Sequence, residues 1–472
     1  MPYAVVEDFS LGMDLRKSAV TASAKSLRLL VNAYVNAGGE IEKRRWFELG
    51  VPAGGLGGTY GLGSLGLSIW AFGATARPAS LAVQIGYLQL VGANIARISD
   101  VDVFDNQFYV VVQQPDNTFK HYYNGVLVAD APNAPTVMAH RSKMYAVAGN
   151  IVYFSMLNNP AVWTPGTSNT GAGFIQLDGH DQGAISLVGL AAYYDQLALF
   201  GRNSIQLWAM DEDPAQNQLI STLGGTGLVA PKALARYATG DVLYLSDSGV
   251  RSLKARDSSN AAIVSDVGSP MDEALTTLVT EARKGTVGTI VAGVPDSLIE
   301  VTGITEPTTG QFWLVANQNI YVLSIAASSH ISAWSRYDLG FTAAYPVEVA
   351  GAVTMRAGDD LRIYGTGPWE GYDTAQVEVI TPMIAGNEPA TNKQYYGLDA
   401  ALEGTWQIEV GTDPAQPGVR ELVATVTGPT FGLQNLGLQN QGTHITARLV
   451  CSDAARARIG SLMFHYNKGS VD

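Results

Sequence analysis

Between about residue 81 and residue 380 the sequence keeps returning to one local pattern: a polar turn, an alternating apolar strand, a short turn, and a second alternating strand. The copies read VDVFDNQFYVVVQQPDNTFKHYYNG, AHRSKMYAVAGNIVYFSM, AAYYDQLALFGRNSIQLWAM, ARYATGDVLYLSDSGVRSLKA, GQFWLVANQNIYVLSI and MRAGDDLRIYGTG. Period-2 alternation marks half-buried strands, and polar turns of two to four residues join such strands into hairpins. Corresponding strands begin near Phe108, Met144, Leu197, Val242, Phe312 and Leu361, with an average spacing of about 50 residues. One such unit cannot bury both of its faces alone. Set around an axis, each buries them against two neighbours. The pattern therefore predicts an all-β chain built on an irregular β-propeller of about six blades.

The flanks read differently. Leu27, Leu30, Val31 and Tyr34 fall at helical spacing, so part of Lys17–Asn36 is expected to be helical, with Gly38 and Gly39 stopping it. A glycine-rich loop follows over residues 50–66. Beyond about residue 385 the repeat is lost. Four strand-like runs, GTWQIEV, ELVATVTG, THITARLV and IGSLMFHY, predict a small antiparallel sandwich. The expected organisation is an extended N-terminal segment over 1–66, a propeller over 67–384 and a small antiparallel β domain over 385–472. Two insertions interrupt the repeats. One is NNPAVWTPGTSNTGAGFIQLDGHDQG. The other holds a helix over Met271–Arg283, with Pro270 at its start and Asp272 and Glu273 in its first turn.

Composition narrows the function. Of 472 residues only 15% are charged, well under the usual quarter, which suits a subunit whose surface is covered in an assembly. The net charge is −13, and an acidic chain is not built to grip phosphate, because counterion release needs Lys and Arg at the contact. The single cysteine, Cys451, excludes an intrachain disulfide and suits folding in a reducing cytoplasm. The start MPYAVVEDFS has neither the basic region nor the apolar run of a signal peptide, and no stretch is apolar for long enough to span a bilayer.

Signatures of chemistry are missing. The chain has no H-E-x-x-H, G-x-x-x-x-G-K-[ST], G-x-S-x-G or C-x-x-C. Gly61, Gly63 and Gly66 spell G-x-G-x-x-G, but no helix pattern follows and AFGATARPAS carries no acid, so a loop or close backbone packing is expected there. His121, His140, His180, His330, His444 and His465 lie far apart. Asp211, Glu212 and Asp213 form a contiguous run without the glycine bend of a calcium loop and read as a solvated turn. The pair His180–Asp181 has no nucleophile beside it. The clusters Arg251, Lys254, Arg256 and Arg456, Arg458 are short and lack the interleaved aromatics of single-strand binders. The expectation is a protein without catalytic residues, cofactor or metal. The candidate partner-contact residues are Lys43, Arg44, Arg45 and Trp46, since Arg beside aromatics is the usual composition of interface anchors.

Several segments resemble a known family. GAISLVGLAAYYDQLALFGRNSIQLWAM, followed by GLVAPKALARYATGDVLYLSDSGVRSLKA, is similar to the packaged-DNA stabilisation proteins of short-tailed phages, the tail-nozzle proteins, to which tail tubular protein B corresponds in other phages. The shared pattern falls on Phe200, Gly201, Ser204, Ile205 and Trp208. The opening VNAYVNAGGEIEKRRWF and the closing RIGSLMFHY also resemble that family, except that Trp46–Phe47 stands where Pro-Gly is common. The resemblance implies a virion structural protein in the phage tail, assembled in the host cytoplasm as a cyclic ring, a hexamer. The ring would sit below the portal and adaptor rings, contact tail fibre or spike/needle proteins, retain DNA before ejection and conduct it afterwards without reading its sequence. Two rival readings stand beside it. A receptor- or carbohydrate-binding tail-tip propeller would need aromatic shelves from Trp163, Trp208, Trp313, Trp334 or Trp369, which the repeat positions favour as core. A propeller glycosidase would need paired carboxylates.

Overall fold

The computed structural model describes residues 2–166, 171–177, 185–238, 240–259, 267–286, 301–316, 319–339, 344–365, 371–386, 388–430 and 436–468. Strands make up 53% of the chain and helix 6%, so the all-β class holds. The hairpins form where the sequence places them. Phe108, Met144, Leu197, Val242 and Phe312 each fall in the second strand of a meander, and Leu361 in the third. The turns are built for it: Asp105 and Asn106 both take positive φ between the strands Arg97–Phe104 and Gln107–Gln113, the geometry that matches the twist of the flanking strands.

Among the described residues seven successive meanders occupy the middle of the chain, one more than the alternation pattern reveals. Their first strands are β1 (Tyr60–Leu65), β2 (Arg97–Phe104), β3 (Thr136–His140), β4 (Leu187–Tyr193), β5 (Leu234–Tyr237), β6 (Thr302–Glu306) and β7 (Ala344–Val349). The additional meander is the glycine-rich one, β1 with Ser68–Gly73 and Gly86–Gln89, whose last strand joins in parallel. Its glycines serve packing. Gly61 has φ +54, and a Cβ on Gly63 would come within 2.9 Å of both Phe108 and Phe72. The G-x-G-x-x-G therefore lies across a hairpin, as close backbone packing, and not between a strand and a helix.

The seven first strands pack against one another in order, β1 on β2, β2 on β3 and onward to β7, and β7 packs back on β1. Between neighbouring meanders lie separate apolar clusters, such as Trp313, Tyr337, Tyr364 and Phe47, or Tyr109, Met144 and Trp163. The seventh meander takes its fourth strand from far upstream: Phe47–Leu49 pairs with Asp360–Tyr364.

The N-terminal residues are strands throughout, which corrects the helix expected within Lys17–Asn36. Ser26–Leu27, Leu29–Val31 and Ala33–Val35 are short strands, and the spacing that looked helical arises because most of their side chains are buried on both faces. Leu29–Val31 lies between Ile331–Asp338 of the sixth meander and Val377–Ile380, which continues through Thr446–Cys451 and Thr405–Gly411 to Glu421–Thr427. A second sheet runs Leu436–Gly442, Lys393–Glu403, Arg458–Lys468, Ile41–Lys43 and Ala33–Val35, with Tyr3–Val6 also on Arg458–Lys468. The two sheets share one core around Trp406, Leu449, Ile459 and Phe464. Residues on both sides of the expected 385 boundary thus sit in common sheets.

Among the described residues two α-helices lie between the fifth and sixth meanders, α1 (Leu253–Ser259) and α2 (Asp272–Thr286). The second is the helix expected from Pro270, Asp272 and Glu273. Asp272 also receives both terminal nitrogens of Arg251, at 2.9 and 2.8 Å, which fastens α2 to the strand Gly249–Ser252.

Candidate functional site

Where β1 to β7 converge they enclose a cavity of about 410 Å³ with residues from all seven strands in its lining. Its lining surface is about equally polar and apolar, the apolar residues including Leu62, Val103, Val137, Met138, Leu190 and Val347. Four charged side chains lie among them: Asp100 and Asp102 from β2, Arg236 from β5, and Lys232 just before β5.

A first strand has one free edge, and its N–H groups there need acceptors. On β3 they are supplied by β2. Val137 N donates to Asp100 Oδ2 at 3.0 Å, and Ala139 N to Asp102 Oδ2 at 2.6 Å. The other oxygen of each carboxylate accepts from the next residue of its own strand, Val101 N at 2.9 Å and Val103 N at 2.7 Å. Ser99 Oγ adds a bond to Pro135 O at 2.7 Å. Burial raises both carboxyls above the usual Asp range. For Asp100 the positive charge of Lys232 and its bonds from backbone N–H groups oppose the shift. Asp102 is pushed up to about 6, against its bonds from Ala139 and Val103.

Lys232 Nζ stands 3.6 Å from Asp100 Oδ1. The ion pair links β2 to the segment before β5, two strands that are not neighbours in the packing order. Lys232 O accepts from Gly303 N at 2.8 Å, and Arg236 O from Thr305 Oγ1 at 2.7 Å, so the backbone of this segment is fixed by β6. Arg236 lines the cavity and is exposed. Nearby, His140 is kept below its usual range by burial and then by Arg141, with Arg236 adding in the same direction.

The residues singled out in the sequence are placed otherwise. Lys43 and Arg44 are each only 1% exposed, which corrects their assignment to a partner contact: their charges face the inside of their own chain. Lys43 Nζ donates to Ala375 O at 3.0 Å and Asp453 O at 2.7 Å, and burial lowers its pKa. Arg44 donates to Asn32 Oδ1 at 3.1 Å and Asp373 Oδ2 at 2.9 Å, and lies over the rings of Phe47 and Tyr337. Arg45 and Trp46 are half-buried. Arg45 reaches Gly365 O at 3.2 Å, and Trp46 N donates to Gly371 O.

The remaining candidates follow the same course. Asp213 caps a short 3-10 turn at Pro214–Gln216, and Glu212 O accepts from Lys143 Nζ at 2.8 Å. Arg456 and Arg458 both pair with Glu42 at 3.1 Å. His121 is buried between Tyr109 Oη and Ala134 O, and burial takes it down to about 4. His465 bonds Asp399 at 2.7 Å. Trp163, Trp208, Trp313 and Trp334 are core residues at 5% exposure or less. His180, Asp181 and Trp369 lie outside the described residues. No group of three or more His, Cys, Asp or Glu able to hold a metal occurs among the described residues, and no helix there is long and apolar enough to cross a membrane.

Asp100, Asp102, Lys232 and Arg236 escaped sequence reasoning. The available signal was the pair of acids at alternate positions of an otherwise apolar strand, in RISDVDVF. Alternation read for apolar residues alone passes over it.

No family model matches the chain, and no curated protein matches it. Among solved structures the chain is similar to the extracellular domains of two hybrid two-component systems from B. thetaiotaomicron. One is 10% identical with a TM-score of 0.42, over 80% of this chain and 48% of that one. The other is 10% identical with a TM-score of 0.40, over 88% of this chain and 61% of that one. The chain thus spans about half to three fifths of these structures' length.

Proposed function

We propose that the seven meanders form a seven-bladed β-propeller, and that the chain is a structural subunit of a cyclic ring in the tail nozzle of a short-tailed phage, without enzymatic activity. The observation that carries the scaffold reading is the cyclic packing order of β1 to β7, closed by the upstream strand Phe47–Leu49 on the seventh meander. A ring closed by a strand from a distant part of the chain resists opening at any single seam. The use of polar groups supports the same reading, because each cationic or acidic cluster picked out in the sequence contains members held in bonds within the chain. The resemblance on Phe200, Gly201, Ser204, Ile205 and Trp208 supplies the nozzle. Phe200, Ile205 and Trp208 are buried, with Phe200 against Tyr244, so that motif belongs to the scaffold.

Passage of DNA is then a property of the assembled ring. A cavity of about 410 Å³ holding an ion pair has no room for a duplex whose major groove alone is ~12 Å wide. The DNA path lies between subunits, below the portal and adaptor rings, and the six-fold ring is part of the proposal. The carboxylates in the cavity do not favour a glycosidase, since both oxygens of each are engaged by backbone N–H groups.

Negative-stain imaging of the purified full chain, with size-exclusion chromatography, tests this. Rings with a central hole, or rings formed on adding portal and adaptor proteins, are expected. Particles that stay monomeric with those proteins and that bind glycans on an array would replace it with the tail-tip receptor reading.

A further inference from the structure

We propose that the cavity at the axis is a binding site for a small organic oxyanion, a carboxylate or a phosphate monoester on an apolar body, held by Lys232 and Arg236. This goes beyond the nozzle reading and does not depend on it, because it needs only the convergence of β1 to β7.

The two charge types in the cavity are not equally available. Asp100 and Asp102 each have both oxygens engaged by backbone N–H groups, so they act as seams between β2 and β3. The cations are less engaged. Lys232 Nζ is 3.6 Å from Asp100 Oδ1, beyond hydrogen-bond distance, and 31% of its side chain is exposed. The exposed Arg236 has no carboxylate partner among the described residues. Lys232, Leu234 and Arg236 all line the cavity, so two cations flank an apolar side chain on one side of it. Val103, Val137 and Met138 line the same cavity. Arg236 without a carboxylate partner among the described residues and Lys232 in a long ion pair, set among apolar side chains, suit an oxyanion with a hydrocarbon body, since charge-assisted bonds from Lys and Arg to carboxylate or phosphate are the strong ones. The volume lies in the range of small-molecule sites.

The site also carries a pH signature. The titratable or charged groups lining it are Asp100 and Asp102 from β2 and Lys232 and Arg236 from the β5 segment, while His140, Asp105 and Arg141 line an adjoining pocket that shares Val103. The residues that β1, β4, β6 and β7 contribute do not titrate. Asp102 titrates near 6 and His140 below its usual range. Lowering the pH from 7.5 to 5.5 therefore removes negative charge from the cavity, and an anion binds more tightly.

The test uses four probes of one shape: benzoate, phenyl phosphate, benzyl alcohol and benzylamine. Binding to the full chain is followed by ligand-observed NMR and calorimetry. Benzoate or phenyl phosphate is expected to bind at least about tenfold more tightly than the neutral and cationic probes, and the tighter of the two identifies the head group. Benzoate affinity is expected to rise about threefold or more between pH 7.5 and 5.5. Arg236→Gln, an exposed change that leaves the melting temperature in place, and Lys232→Met each cut anion affinity about fivefold or more. The proposal is overturned by equal binding of benzyl alcohol or benzylamine, by anion binding that survives the double variant, or by no anion binding at ~10 mM.

Discussion

Single side chains decide where charge sits in this molecule. Arg44 is fully buried, with bonds to Asn32 and Asp373 and two aromatic rings beneath it. Arg44→Ala leaves those partners unmatched. Because Asp373 is itself 32% exposed, the cost falls at the lower end of buried-pair losses, about 2–3 kcal/mol by chemical denaturation. Nothing in EKRRWF distinguishes such an arginine from a surface one, since the acceptors Asn32, 12 residues upstream, and Asp373, 329 residues downstream, lie outside that segment. Asp102 sets a second expectation. Its folded pKa of about 6 lies above the unfolded value, so the folded state holds the proton more tightly. Its contribution to stability is fully present below about pH 4 and is lost as the pH rises through about 6. Against Asp102→Asn, the wild type should therefore gain relative melting temperature as the pH falls from 7 to 4. A gap that stays constant over that range would show that Asp102 keeps an ordinary pKa.

The elements show which signals are local. Alternating apolar residues and polar turns are properties of ten or twenty adjacent residues, and they mark six of the seven meanders. The remaining one escapes because Gly61 and Gly63 replace side chains where backbone packs against Ile98 and Phe108, so the alternation has nothing to act on. The strands near the N-terminus escape for another reason: their partners lie hundreds of residues away, at Ile331–Asp338, Val377–Ile380 and Arg458–Lys468. The closing strand Phe47–Leu49 is held largely by Phe47, which packs on Trp313 and Tyr364 at ring-centroid distances of 5.9 and 4.9 Å. Phe47→Ala should cost about 3–4 kcal/mol. It should also speed amide exchange in Asp360–Tyr364 more than in the strand Gln107–Gln113 of the second meander. Equal acceleration in both would mean that the strand does not act as a local clasp.

At the scale of the whole molecule, the expected division into three domains meets a structure in which sheets run across the boundaries. Leu29–Val31 joins the sixth meander to Val377–Ile380, and Ile41–Lys43 joins Arg458–Lys468. The chain should therefore unfold in one transition, with tryptophan fluorescence and far-UV dichroism coinciding. Residues 385–472 expressed alone should fail to give a dispersed NMR spectrum, because the strands from residues 1–43 that complete their sheets are missing. Two separated transitions, or a well-dispersed spectrum from the fragment, would restore independent domains. The cavity residues were hard to read for the same non-local reason: Asp100 and Lys232 become neighbours only once the inner strands come together.

The pairing of Tyr3–Val6 with Leu462–His465 sets the timing of assembly. On a ribosome the meanders can form one after another as they emerge, since each, apart from the fourth strand of the seventh, is made of neighbouring residues. The strand Tyr3–Val6 must wait for a partner translated about 460 residues later, holding open edges that invite pairing with other chains. Refolding should accordingly show rapid gain of strand signal followed by a slower, concentration-sensitive burial of Trp406. Overcrowded expression should lose protein to aggregation in that interval.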